Sequence, residues 1–400
     1  MKSISSGAGM LVRAAVLTAF ASLAIAATPA EQKAIVQTGT GGAEVMKLQN
    51  VPVLEPAEGQ VLIKVYAAAV NPVDWKGRVG NMGGGGAAAG GMAAGGEGMG
   101  AGGEGMAAGA APGGAAGGMG GAMQMAGQAG GMGGGAAAAT LKIPGSDVAG
   151  VVEKVGPGVT KFKVGDAVFA QLGQTTVNGA NGAYAEYAIA GVDRTGAKPK
   201  QLTYTQAAGL GTATTTGVGR VIVAKVAKGQ RVLVTGVSGG VGSAAAQAAK
   251  ARGAYVIGTA SAKHNAYLKK LGVDEAVDYT QGDWQDKIKN VDIVIDTVSG
   301  ENATLAIKTL KKGGTLVTVG GRASADACTA AGVDCSLTGG PTDVNVVDEV
   351  AKLASDGKLN VNVDASFPLE KAFDAQEENR NGGTEGKIAL IVNAAEANKK

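Results

Sequence analysis

Gly236, Gly239 and Gly242 stand three residues apart, with Gly240 among them, in the stretch RVLVTGVSGGVGSAAAQAAKARGAYVIGTAS at 231–261. The chemistry open to this spacing is the binding of a pyrophosphate. A turn without side chains lets backbone N–H groups, and the positive N-terminus of the helix that follows, come close to such a group. The motif alone is weak, because any tight strand-to-helix turn favours glycine. Its context carries the reading. Val232, Leu233 and Val234 form the apolar run of a strand buried on both faces, Ser243 to Ala246 open a helix of small residues, and Tyr255 to Ala260 supply a second strand. Further strand-like runs follow at 275–279, 292–298 and 314–321. This is the pattern of a Rossmann dinucleotide-binding unit. An NAD site would offer a carboxylate where the second strand ends, yet Thr259, Ala260, Ser261, Ala262 and Lys263 include none. A hydroxyl and a cation there suit a 2′-phosphate, so NADP(H) is the expected cofactor. The other reading of Lys263 is a solvated lysine at a helix start.

Two cysteines, Cys328 and Cys335, and the single His264 supply too few nitrogen and sulfur ligands for a tetrahedral zinc site, so no metal is expected. In an oxidising compartment the cysteines could close a small disulfide; otherwise they are two thiols.

The elements that must position this chemistry span most of the chain. Its 400 residues, 45% hydrophobic and 17% charged with a net charge of +3, suit two or three soluble domains and give no argument for nucleic acid. Lys2 and Arg13 precede an apolar run, Ala14 to Ala26, too short to span a bilayer comfortably, so residues 1–26 read as a secretory signal peptide. An uncleaved anchor or a transit peptide are the alternatives. Two short strands, KAIVQTG and VMKLQNVPV, then lead to a longer one in GQVLIKVYAAAV that runs into the Pro-containing turn NPVDWKGR. Residues 80–139 are mostly Gly and Ala, with eight Met and only Glu97 and Glu104 charged. Such a stretch cannot bury enough surface to offset its ordering entropy and is expected to be disordered. Closing a loop of that length costs only about 3–4 kcal/mol, which a stable domain can carry. Val-rich runs from LKIPGSDVAG onward, with GAYAEYAIA at 182–190, predict a β-barrel-like module; Tyr184 and Tyr187 read as core residues. From Gln206 a single helix is expected to lead into the Rossmann unit. A further helix between Pro368 and Gly382, then a last strand, end the chain.

These residues resemble the medium-chain dehydrogenase/reductase superfamily, within it the zinc-free quinone oxidoreductase and enone reductase branch. The resemblance runs through residues 32–79 and 140–393 by way of AAAVNPVDWKGR, PGSDVAGVVEKVGPGVTKFKVGD, GAYAEYA, TGVSGGVG, DTVSG, LKKGG and GTEGKIALIV. It implies an α/β fold in which a GroES-like catalytic domain, from 27–79 and 140–205 with a return at 339–400, embraces a Rossmann domain at 206–338. Zinc-dependent relatives carry their ligands near the positions of Asn71-Pro72 and Ser146-Asp147, which differ here. By similarity, Asn71 and Asp74 lie near the nicotinamide, and Lys76 is a candidate for polarising a substrate carbonyl. Thr216 faces the cofactor, and Gly236, Gly239, Gly240, Val241 and Gly242 hold the pyrophosphate. Ser261, Lys263 and Tyr279 form the 2′-phosphate pocket, while Gly320, Gly321 and Lys387 border the nicotinamide. Asn71 before a proline is also an ordinary turn residue, and Thr216 also suits a turn cap.

The implied activity is hydride transfer from NADPH to a small-molecule quinone or α,β-unsaturated carbonyl, by a monomer or homodimer with no membrane insertion of the mature chain. The leader points to a secreted or periplasmic protein, whereas NADPH use points to an intracellular one. A rival reading is an exported interaction protein on a retained reductase fold, acting through the insertion. A third is Cu(I) binding by its methionines.

Overall fold

A computed structural model describes residues 28–80, 142–173, 180–337 and 339–400. The signal-peptide reading and nearly all of the Gly/Ala/Met-rich insertion, with the roles suggested for it, lie outside these residues. In chain order the elements are β1 (Glu31–Gln37), β2 (Met46–Pro52), β3 (Gln60–Val70), α1 (Pro72–Arg78), β4 (Asp147–Val155), β5 (Ala167–Gln171), β6 (Tyr187–Gly191) and β7 (Thr195–Ala197). Then come α2 (Tyr204–Ala208), α3 (Thr212–Val223), β8 (Arg231–Thr235), α4 (Gly240–Ala251), β9 (Tyr255–Ala260), α5 (Asn265–Lys270), β10 (Glu275–Asp278), α6 (Trp284–Lys287), β11 (Val291–Asp296), α7 (Glu301–Ile307) and β12 (Leu310–Thr318). The last are α8 (Ala325–Ala331), α9 (Val346–Ser355), β13 (Val363–Pro368), α10 (Ala372–Asn381) and β14 (Lys387–Ile391).

β8 to β12 form a wholly parallel sheet in the order β10-β9-β8-β11-β12. The order reverses at β8, so the loops after β8 and β11 open a crevice at the carboxyl edge, where doubly wound sheets take their ligands. The other large sheet runs β13-β14-β3-β4-β5-β7, with β6 also paired to β3. β3 is buried along most of its length on both faces, and Val61, Ile63, Ala68 and Val70 lie in a core shared with Val148, Val168 and Leu390. Antiparallel pairing of β3 with β14 (Val70 opposite Ile388) and with β4 (Ala69 opposite Asp147) brings one end of three strands together. That register assembles the site.

The single helix expected from Gln206 is two helices, α2 and α3, broken at Gly209–Gly211. The reason is contact: a Cβ on Gly211 would overlap the Asp147 carboxylate, which instead takes the first N–H of α3. The expected strand following Gly382 is β14, and its parallel partner β13 pairs with it as an edge strand. Gln37 holds both ends of the chain that flank the insertion: its backbone N–H donates to the Lys142 carbonyl (2.8 Å), and its side chain donates to that of Gly77 (3.4 Å). Cys328 and Cys335 are joined in a disulfide. Among the described residues no helix is long and apolar enough to cross a membrane.

Candidate active site

Asn71 begins where β3 ends, and Pro72 follows at the first position of α1, where a missing N–H costs nothing. Its side chain is consumed by the protein. Nδ2 donates to Asp147 Oδ2 (2.8 Å) and Ser146 Oγ (3.2 Å), and Oδ1 accepts from Lys387 Nζ (2.6 Å). Lys387, the first residue of β14, also donates to the Val70 carbonyl (2.7 Å) and lies 4.0 Å from Asp147 Oδ2. Asp147 Oδ1 accepts from the Thr212 N–H (2.8 Å) and hydroxyl (2.6 Å), so the N-terminus of α3 is aimed at a carboxylate. Gln171 Nε2 reaches the same hydroxyl at 3.3 Å. Asp147 is 0% exposed and Lys387 5%. Buried charges are tolerated when paired and hydrogen-bonded, and here the ammonium donates two hydrogen bonds and faces a carboxylate that accepts from Asn71 and Thr212. Burial lowers the Lys387 pKa, and Asp147 and Asp74 oppose that shift.

Asp74 looks inward. Its Oδ2 accepts from the Asn71 backbone N–H (2.8 Å) and from the Tyr184 hydroxyl (2.9 Å), while Oδ1, buried, has no partner. Burial pushes its carboxyl up to about 7, against the pull of those two hydrogen bonds. The Tyr184 hydroxyl is pushed well above its ordinary value, first by burial and then by the Asp74 charge. Tyr184 therefore adds a polar task to the core role read from sequence. Lys76 does not join this cluster: it is exposed, with its ammonium 5.6 Å from the Trp75 ring centre.

The glycine turn has the shape of a phosphate cradle. Gly236 has φ +61°, and a Cβ on Gly242 would sit 2.7 Å from Val237 Cα and collide with the Gly236 carbonyl oxygen. The cradle therefore holds only with glycine at both places. Val241 and Gly242 lie in the first turn of α4, whose N-cap is Gly239. Gly240 gives passage to the Lys387 stem, since a Cβ there would be 2.9 Å from Lys387 Cδ. Thr216 is half-buried on α3, next to Gly217, whose bare Cα lets α3 close on α4. At the end of β11, buried Asp296 accepts from the Thr235 hydroxyl (2.6 Å), the Ser299 N–H (2.9 Å) and Asn302 Nδ2 (2.7 Å). Ser299 Oγ then takes the Gly320 N–H at 3.2 Å, so three strand ends share one network. Gly321 follows in left-handed backbone, with φ +70°.

Ser261 directly follows β9 and Tyr279 directly follows β10; these strands pair with Ala260 opposite Asp278, so the two residues stand side by side. Lys263 and Tyr279 are exposed there. The segment 382–387 crosses this edge. Gly386 N–H donates to the Ser238 carbonyl (2.8 Å) in the glycine turn, and Glu385 Oε1 lies 3.0 Å from His264 Nδ1. His264, read from sequence only as an insufficient metal ligand, is buried at this contact. Among the described residues no group of three or more His, Cys, Asp or Glu could hold a metal ion. A depression of about 560 Å3 lined by Lys64, Glu186, Tyr187 and Asn393 includes none of the site residues.

Comparison with known proteins agrees with this arrangement. The alcohol dehydrogenase GroES-like domain model matches residues 115–200, and the zinc-binding dehydrogenase model matches 271–390. The chain is 30% identical to the NADPH-dependent alkenal/one oxidoreductase of Arabidopsis thaliana, over 91% of this chain and 81% of that protein. It is 31% identical to the quinone oxidoreductase of Mus musculus, over 88% of this chain and 95% of that one. The solved quinone oxidoreductase of Coxiella burnetii superposes with a TM-score of 0.69 at 28% identity, covering 90% of this chain and 99% of its own. The chain belongs to the medium-chain dehydrogenase/reductase superfamily, in its quinone oxidoreductase branch. It is an oxidoreductase of small molecules whose Rossmann domain serves NADP(H).

Proposed function

We propose that the protein reduces quinones or α,β-unsaturated carbonyls with NADPH and without a catalytic metal. The observation that carries the reading is the closed network of Asn71, Lys387, Asp147 and Thr212 beside the glycine cradle. In zinc-dependent relatives this is the neighbourhood of the metal. Here the Lys387 ammonium, held by Asn71 and the Val70 carbonyl, supplies the positive charge that Asp147 faces. Gly236, Gly239, Val241 and Gly242 would hold the pyrophosphate, with Ser261, Lys263 and Tyr279 at the 2′-phosphate. When bound, the nicotinamide supplies the hydride. The protein supplies position. Asn71 and Lys387 fix the end of β3 against the Rossmann domain, and Asp74 fixes Asn71 through its N–H. With its amide fully used, Asn71 is a positioning residue, and the product takes its proton from solvent. The names of the relatives, a quinone and an alkenal/one oxidoreductase, support this acceptor class.

The test is NADPH oxidation by a panel of quinones and enals, using protein stripped with a chelator. Turnover unchanged by stripping is expected. Activity restored only by Zn2+, or no turnover with any acceptor despite tight NADPH binding, would overturn the reading. Export belongs to the same proposal, supported by the Cys328–Cys335 disulfide, which an oxidising compartment favours. Sequencing the protein's N-terminus from the extracytoplasmic fraction tests it, and sedimentation equilibrium separates monomer from homodimer.

A further inference from the structure

We infer that Arg78 is a positioning residue that sets Asn71 from the opposite end of α1. The inference rests on the proposed function, in which Asn71 and Lys387 fix the end of β3 against the Rossmann domain. Arg78 is the last residue of α1 and is 2% exposed, and the proposed reaction gives it no direct part. Its guanidinium serves three partners at once: Nε donates to Gln376 Oε1 (2.8 Å), Nη1 to the Gly41 carbonyl (2.7 Å) and Nη2 to Glu377 Oε1. The Phe373 ring lies against it, with its centre 4.6 Å from Cζ. Gly41 N–H donates back to the Arg78 carbonyl at 3.1 Å. One turn earlier, Trp75 Nε1 donates to Asn379 Oδ1 at 3.1 Å. Phe373, Gln376, Glu377 and Asn379 all belong to α10.

As α1 runs forward, α10 runs back: Trp75 meets Asn379, and Arg78 meets Gln376. The start of α1 and the end of α10 therefore point to the same place. Asn71 is the N-cap of α1, and α10 leads through residues 382–386 to Lys387. There Lys387 Nζ donates to Asn71 Oδ1 at 2.6 Å, and the two helices form a closed ring. A helix of seven residues spans about 10 Å, so the Arg78 and Asn71 backbones stand well apart. At such a separation two substitutions are normally additive. A short helix fixed at both ends is the exception, because a shift at one end is carried to the other. A lysine at position 78 keeps the charge and loses the fork, since one nitrogen cannot reach three partners set around a planar group. The far end of α1 is then loosened, and with it the Asn71 N–H that donates to Asp74 at 2.8 Å.

Two readouts on the full chain test this, one of them independent of any acceptor. Amide hydrogen exchange over residues 70–75 reads the Asn71 N–H held by Asp74. Arg78→Lys is expected to lower protection there at least tenfold while leaving the cradle residues 236–242 unchanged. In turnover, Arg78→Lys should lower kcat at least fivefold, with the NADPH dissociation constant within twofold of the wild type. The decisive comparison is made in the Asn71→Ala background, where Arg78→Lys should change kcat less than twofold. Trp75→Phe keeps a ring and loses the bond to Asn379; it should act in the same direction more weakly, and it stands in if Arg78→Lys does not fold. Unchanged protection at 70–75, a loss of protection spread equally over the cradle, or a kcat loss of the same size with and without Asn71 overturns the inference. Absence of turnover by the wild-type chain with every acceptor overturns the proposed function instead, and the exchange measurement then decides the inference alone.

Discussion

Replacing Lys387 with Met keeps the length of the side chain and removes its charge. The loss comprises two hydrogen bonds, to the Val70 carbonyl and to Asn71 Oδ1, and the positive partner of a carboxylate 4.0 Å away. At 4 Å and an effective dielectric constant of about 20, that charge pair is worth about 4 kcal/mol. Removing one member of a buried pair typically costs about 3–5 kcal/mol, because the other is left uncompensated. Asp147 would keep its hydrogen bonds from Thr212 and Asn71, which offset part of the loss. The net expectation is a destabilisation of about 2–4 kcal/mol, seen as a lower urea midpoint with unchanged slope. The double variant Lys387→Met with Asp147→Asn should recover at least 1 kcal/mol relative to the sum of the single changes. A cost below about 0.5 kcal/mol for Lys387→Met, or additivity of the two changes, would refute the claim that the ammonium compensates Asp147. Catalytic efficiency should fall in Lys387→Met with most of the loss in kcat, because the cradle glycines are untouched.

Three further outcomes are expected. Asp74 titrates near 7 in the folded chain, above its unfolded value, so the native state binds the extra proton and stability should decline as pH rises from about 4 to 7; Asp74→Asn should flatten that slope, and a slope retained in the variant would sink the account. Gly242→Ala places a Cβ against the Gly236 carbonyl and should cost about 1–3 kcal/mol of stability and at least tenfold in NADPH affinity, measured by nicotinamide fluorescence. Replacing Cys328 and Cys335 with Ser opens a loop of seven-residue separation and should cost about 2–3 kcal/mol while leaving NADPH affinity unchanged, because the bridge lies among residues packed on β11 and β12 rather than in the cradle.

The Rossmann half was legible because its signals are local. Glycine spacing, the apolar runs of β8, β9 and β11 and the small residues of α4 each act over a few positions, and the second strand expected at Tyr255–Ala260 is β9. The missing carboxylate after β9 is likewise a local fact. The catalytic half yielded its strands but not its chemistry. Asn71 and Asp74 stood out through resemblance, yet their behaviour depends on partners far along the chain: Asp147 lies 76 residues from Asn71, and Lys387 lies 316. Lys76 carried the charge that a sequence reader would choose, and the geometry of a seven-residue helix turned it to solvent instead.

The sequence by itself determined the class of fold, the phosphate-binding turn and the chemical character of its neighbours, since those follow from residue type and short-range period. Only the tertiary structure decided what the polar residues do. Pairing β14 and β4 on either side of β3 in one register set a lysine, an asparagine and an aspartate at a single strand end, and the break at Gly209–Gly211 turned the first N–H of α3 onto that aspartate. Tyr184 became the partner of Asp74, and His264 met Glu385 across a loop, for the same reason. A buried polar group must find a partner wherever the packed chain offers one, and sequence distance does not limit where that is.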